Sequence, residues 1–274
     1  MKMKNMIQSL FRNIVAWIFS AICLIPLLLI LFNALKDKKS AASMDLSLPI
    51  PLALENFKTV IEKGKLFRSF INSLIYSVGA TVLCVFLASL AAYVLARNRS
   101  KLNRFFYFFI VLGITLPINY VALTKVLQFL HLNNTMIGII LLYTAMQLPF
   151  MTFLIHGFVS KVPVELDEAA IIDGCRPWEL FFQIVFPLLR PAVATAAVLT
   201  FLNTWNEFIS PLYFLNKTEQ WPMTLSVYNF FGMYYKDWNL VCADILLTSL
   251  PVLIIYLIGQ KYIVSGMTAG ALKG

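Results

Sequence analysis

The sequence predicts an all-α integral membrane protein with six transmembrane helices and both termini on the cytoplasmic side. Three observations predict it. Of the 274 residues, 60% are hydrophobic and 13% charged, with a mean hydropathy of +0.79. A soluble domain of this length carries roughly 25% charged residues, so this chain has too few charges to hold its apolar surface in water. The apolar residues also gather into six runs of the length a helix needs to cross the hydrocarbon core, about 20 residues. Finally, the basic residues behind the net charge of +9 lie mostly between those runs. That is the pattern of charges that set topology, not of a basic patch with interleaved aromatics for nucleic acid.

The first run, residues 14–35, follows Lys2, Lys4 and Arg12. It is longer than the roughly 7–15 residues of a signal-peptide core and reads as a retained helix. A polar segment, 36–68, contains Pro49 and Pro51. The second run, 69–96, ends on Arg97, Arg99, Lys101 and Arg104. The third, 105–130, holds Pro117, and the fourth, 135–159, holds Pro149. Proline kinks a membrane helix but is tolerated where neighbours satisfy the freed carbonyls. After a mixed segment, 161–190, come the fifth run, 191–215, and the sixth, 240–263. Six crossings place the N-terminus, the Arg97 to Arg104 cluster and segment 161–190 on one face, which positive charge makes cytoplasmic. Lys and Arg in 36–68 oppose this signal, partly balanced by Asp37, Asp45, Glu55 and Glu62. The chain therefore divides into 1–68 (first helix and external loop), a core at 69–263 carrying the elbow 161–190, and a cytoplasmic tail at 264–274. Cys23, Cys84, Cys175 and Cys242 have neither metal-site nor disulfide spacing and read as small apolar fillers.

Segment 161–190 has local structure of its own. Pro163 suits the first position of a helix, and Glu165, Asp167 and Glu168 favour the positive end of its dipole. Gly174 can take the left-handed conformation that ends a helix. Pro177 opens a second short helix, 178–185, which Pro187 terminates. Leu166, Ala169, Ala170 and Asp173 recur at helical spacing, giving an elbow with a flat side that another surface can approach closely. On local physics alone, an amphipathic loop packed on its own bundle accounts for the segment equally well.

Glu168-Ala169-Ala170, then Gly174, then Ile184-Val185-Phe186-Pro187 resembles the EAA loop of ABC importer permeases, with Phe186 replacing the usual leucine. Residues 200–208, Thr200-Phe201-Leu202-Asn203-Thr204-Trp205-Asn206-Glu207-Phe208, with Pro211-Leu212, look like the fifth-helix signature of oligosaccharide-type sugar permeases. The C-terminal stretch 265–274 is similar to the tail of the smaller six-helix permeases of the maltose-transporter type. The resemblance implies the type I importer fold and a coupling role for Glu168, Ala169, Ala170, Asp173, Gly174, Ile184 and Pro187. It also implies a tail, with Thr268, Gly270 and Lys273, that reaches the ATPase. The implied partners are a second permease in a heterodimer, two ATP-binding-cassette subunits, an external solute-binding protein and the lipid of a bacterial cytoplasmic membrane. The implied activity is sugar uptake by alternating access, with no cofactor in this chain and ATP and Mg on the ATPase. No nucleic acid is implied.

No Walker A pattern occurs, so the chain is not expected to be an enzyme; nucleotide chemistry belongs to a separate subunit. For the sugar path, Thr200, Asn203, Asn206, Glu207 and Ser210 follow helical spacing, and Trp205 has the flat face that stacks on a pyranose. Tyr143 with Gln147, and Asp244 with Thr248, form lesser stripes. Intramembrane polar residues face the bundle interior or a wet cavity, and bonds to neighbouring helices or to a partner permease serve equally well as the reason for these. Lys125, Glu207 and Asp244 fall toward helix ends, where ion pairing or snorkelling accounts for them. His131 and His156 satisfy local bonds, without an assigned role. An ion-coupled carrier predicts midplane charges and sequence repeats, and a membrane enzyme a convergent catalytic set; neither pattern stands out. An ABC permease for another small solute would share the elbow but not the fifth-helix and tail patterns. The identity of the sugar is not legible.

Overall fold

Where water is absent, backbone N–H and C=O groups must bond within their own segment, and helices do this for an apolar chain. The computed structural model describes residues 2–98, 100–232 and 236–271, with side chains described for 9–98, 100–232 and 236–262. The helices are α1 (Lys2–Ala34), α2 (Glu55–Lys63), α3 (Leu66–Arg97), α4 (Lys101–Leu112), α5 (Tyr120–Phe129), α6 (Met136–Val159) and α7 (Glu165–Ile172). There follow α8 (Pro177–Glu179), a π-helical stretch Leu180–Val185, α9 (Phe186–Leu188), α10 (Arg190–Trp205), α11 (Ile209–Phe214), α12 (Met223–Ser226) and α13 (Trp238–Ala271). Among the described residues, four helices are long and apolar enough to cross a membrane: Ser9–Ala34, Leu66–Arg97, Met136–Val159 and Trp238–Tyr262. Pro177–Leu188 and Arg190–Trp205, bent by 78° at Leu189, make a fifth if taken as one broken span.

The third apolar run is not one helix. It divides into α4 and α5, of 12 and 10 residues, because Asn119 caps a new helix by accepting Ala122 N–H at 3.0 Å, two residues after Pro117. Ser100 and Thr135 cap α4 and α6 in the same way, accepting Asn103 N–H at 3.2 Å and Gly138 N–H at 3.0 Å. The fifth run likewise breaks after Trp205. There Glu207 Oε1 accepts Ser210 N–H at 2.8 Å, bonding a free donor at the start of α11. The second elbow helix continues past Pro187 to Leu188, and Leu189 makes the bend.

The chain forms two compact units, residues 1–68 with 226–250, and 69–225 with 251–274. In the first unit, α1 exposes its large apolar side chains almost throughout, from Leu10 to Leu31, as a helix facing lipid does. Its C-terminal carbonyls have no partner within the helix. Asn56 Nδ2 donates to Ala34 O and Lys36 O, both at 2.8 Å, and Asn239 Nδ2 donates to Asn56 Oδ1 at 2.8 Å. Buried Lys36 donates through Nζ to Asp45 Oδ1 at 2.7 Å and to Asn33 Oδ1 at 3.3 Å. That bond, with others from Ser43 and Ser47, holds the Asp45 carboxyl well below the usual carboxylate range. Asp244 does not snorkel: it is 1% exposed and accepts Ser226 Oγ–H at 2.8 Å.

In the second unit, α3 turns a stripe of small residues inward at four-residue spacing: Ala80, Cys84, Ala88 and Ala92, all fully buried. Small side chains let helix backbones approach closely. Cys84, Ala88 and Ala92 pack with Met151, Ile155 and Val159 of α6 and Ala196 of α10. The C-terminal half of α13 approaches α10 through Gly259, where a Cβ would come within 2.6 Å of Val198 Cγ1. Thr195 Oγ1 on α10 bonds Tyr262 O at 2.7 Å.

Candidate functional site: the elbow between α6 and α10

The elbow begins where α6 ends at Val159. Helix α7 starts at Glu165 with three carboxylates in its first turn, placed against the positive end of its dipole. They do not serve alike. Asp167 turns inward and accepts two bonds from Arg97 of α3, from Nε to Oδ2 at 2.9 Å and from Nη2 to Oδ1 at 3.1 Å. The same guanidinium donates from Nη1 to Val162 O at 2.9 Å, and Tyr93 Oη donates to Asp167 Oδ2 at 3.1 Å. Forked arginine–carboxylate pairing fixes orientation as well as distance. The Tyr93 ring also packs on Phe181 in the second half of the elbow, centroids 5.4 Å apart, so α3 grips both halves.

Ala170, Leu180 and Val185 point into the core shared by α3, α6 and α10, and Ile184 packs against it. Ala170 and Ile184 thus pack on the chain's own bundle, while Pro187 is half-buried. Gly174 ends α7 with φ +85°, and no atom lies within 4 Å of where its Cβ would be. Arg176 N–H bonds Glu179 Oε2 at 2.8 Å and Pro177 opens the next turn, as expected for a helix start. Facing away from the bundle are Glu168, Ala169, Asp173 and a set of large apolar side chains, with Ile171 62%, Ile172 84% and Trp178 63% exposed. The elbow therefore offers an apolar surface edged by acid, on a base clamped to α3.

The sequence did not mark Asp167, Tyr93 or Arg97 as a set. Arg97 reads as one of a topological cluster, and its partner lies 70 positions away. The four-residue spacing of Tyr93 and Arg97 at the end of α3 was the available signal. Of the tail residues, Thr268 and Gly270 fall on the α13 backbone with side chains outside the described residues, and Lys273 lies outside them altogether.

The polar stripe of α10 divides. Asn203 Nδ2 donates to Gln147 Oε1 of α6 at 3.0 Å, and Asn203 is exposed. Asn206 is exposed but bonds back to Leu202 O at 2.8 Å. Thr200 and Tyr143 are buried. Trp205 is also buried, stacked on Phe201 (centroids 5.5 Å) with Phe70 edge-on at 5.9 Å. Of the two histidines, His131 Nδ1 is 3.2 Å from Gln128 O, and His156 stacks on Tyr107 at 4.1 Å between centroids. Lys125 is exposed.

Residues 84–269 match the family model of the binding-protein-dependent transport system inner membrane component. The chain is 33% identical over 279 residues to the multiple sugar-binding transport system permease protein MsmG of Streptococcus mutans, covering 100% of each. It is 34% identical over 253 residues to the melibiose/raffinose/stachyose import permease protein MelC of Bacillus subtilis, covering 91% of each. Its fold matches, with a TM-score of 0.83 at 20% identity over 94% of this chain and 97% of the other, a chain of a bacterial ABC transporter involved in the import of the acidic polysaccharide alginate. The chain thus has the type I ABC permease fold that the elbow motif implied. It belongs to the family of binding-protein-dependent transport system inner membrane components, as a permease subunit of an ABC importer and not an enzyme.

Proposed function

We propose that this chain is one of two different permease subunits of a bacterial sugar importer, and that its own task is to turn ATPase closure into helix movement. Family membership implies an ATPase and a solute-binding protein as partners. The observation that carries the coupling role is the elbow itself: α7 is fastened to α3 through Asp167 and Arg97 while Ile171, Ile172, Glu168 and Ala169 face outward. An apolar patch seats in a partner's cleft, and Glu168 at its edge pairs with a basic residue there. Gly174 lets the chain turn back, and the tail residues Thr268, Gly270 and Lys273 contact the two ATPase subunits, which hold ATP and Mg.

The substrate reading is an oligosaccharide. It is supported by the names of two relatives, one a multiple-sugar and one a melibiose/raffinose/stachyose permease. Gln147, Asn203 and Asn206, with half-buried Glu207, are the path residues with polar groups best placed for hydroxyls; Thr200, Trp205 and Tyr143 are buried. The broken pair α4–α5 supplies the sixth crossing, with both termini cytoplasmic in a bacterial plasma membrane.

The test is reconstitution of the four-subunit complex in proteoliposomes with its binding protein. ATP hydrolysis is expected to rise when the binding protein carries an oligosaccharide and to remain basal with amino acids. A binding protein selective for amino acids or metal ions would overturn the sugar reading while leaving the coupling role standing.

A further inference from the structure

Two hollows adjoin on α4, close to the elbow but outside its outward face. One is an open cleft of about 690 Å³ between the end of α3, the middle of α4 and the end of α6. Its walls include Arg97, Arg104, Tyr107 and His156, and no carboxylate. Arg97 is committed to Asp167 and to backbone carbonyls. Arg104 has no carboxylate partner among the described residues; its guanidinium sits 5.9 Å from the centroid of the Phe108 ring. The second hollow, about 440 Å³, runs along α4 and is lined by Phe105, Phe108, Phe109 and Leu112 with almost no polar surface. Phe108 belongs to both.

A cleft with basic and polar groups in its walls, sharing Phe108 with an adjoining apolar groove, has the layout of an amphiphile. The cleft lies where α3 ends on Arg97, α6 ends past His156 and α4 begins with Lys101 and Arg104, which on the proposed topology is headgroup level. The groove leads away from there along α4, whose Phe109 is 64% exposed. We propose that this is a site for an anionic phospholipid, with its phosphate on Arg104 and one acyl chain along Phe105, Phe109 and Leu112. Guanidinium forks suit phosphate oxygens, and basic pockets between helices at the cytoplasmic face suit anionic headgroups. The aromatic rings supply chain contact that a zwitterionic lipid would share, so charge selection rests on Arg104. Arg97 forms one wall of the cleft, so the bound lipid touches the residue that fastens the elbow.

The test is native mass spectrometry of the purified transporter complex after graded delipidation, with phosphatidylglycerol or phosphatidylcholine added back. One phosphatidylglycerol per copy of this chain is expected to persist in preference to phosphatidylcholine. Arg104→Gln should weaken its retention about tenfold, the loss of one forked phosphate contact. Arg104→Lys should fall between the two and serves if Arg104→Gln does not assemble. Leu112→Ser should weaken long-chain phosphatidylglycerol more than its dihexanoyl form. Lys217→Gln removes the same charge from an exposed site beyond α11 and should change nothing. Equal retention of both lipids, equal loss in Lys217→Gln, an unaltered Arg104→Gln, or binding of glycerol phosphate as tightly as of lipid would each overturn the proposal.

Discussion

Asp167 and Glu168 are neighbours in the first turn of α7 with opposite duties. Asp167 takes the forked bonds of Arg97, and the two side chains are 9% and 13% exposed; Glu168 is exposed. Removing one member of a largely buried ion pair leaves the other uncompensated, at a cost of about 3 kcal/mol. Asp167→Ala should therefore lower the unfolding temperature of the solubilised complex, whereas Glu168→Ala should not. In a double-mutant cycle with Arg97→Gln, the two losses should fail to add by about 1–3 kcal/mol; additive losses would show the pair to be idle. Gly174, at φ +85° with open space around it, tests conformation without packing. Gly174→Asn should cost less than Gly174→Ala, about 1 kcal/mol, and Gly174→Val more, because asparagine tolerates the left-handed region best. Thermal unfolding of the three variants would order them.

Asp45 carries a pH dependence whose sign follows from its environment. Its folded value lies below the ordinary one, chiefly because Lys36 Nζ bonds it. The stabilisation is then fully present above the ordinary carboxylate value, about 4, and is lost as pH falls through the lowered folded value. Between pH 6 and 8 the pair should contribute a constant amount. Asp45→Asn should lower the melting temperature there, and the gap to wild type should close under strong acid. A gap that widened on acidification would contradict the assignment.

At the scale of elements, α3 is the spine of the second unit because small residues on one face let α6 and α10 come close. Ala88→Leu inserts three carbons where no space exists and should destabilise by about 1–3 kcal/mol, read by thermal unfolding; Val82→Leu, on the 65% exposed side, should be neutral. How far elements are legible in sequence depends on what breaks them. The elbow was legible because proline, acid and glycine punctuate it locally. The third apolar run was not, because residues on both sides of its break are equally apolar and the break shows only as Pro117 followed by the Asn119 cap. Trp205 illustrates the same limit for side chains. Its residue type fits sugar stacking, but its burial depends on Phe70, far away in the chain.

At the scale of the whole molecule, membrane residence follows from composition, but the division of labour does not. That this chain belongs to an importer rests on a motif and on relatives that it matches end to end. On the proposed coupling role, the elbow's outward face is where the chain meets the ATPase. Ile172 is the sharpest probe of that face: it is 84% exposed, so replacing it removes no packing from the bundle. Placing a charge there puts an unpaired carboxylate into an apolar contact. The most direct measurement is ATP-driven sugar uptake, with ATPase co-purification, for Ile172→Asp in the reconstituted transporter. The coupling account predicts normal insertion and folding of the variant, loss of the ATPase on purification and uptake lowered at least tenfold, which corresponds to about 1.4 kcal/mol of docking energy. Wild-type uptake with the ATPase still bound would contradict it.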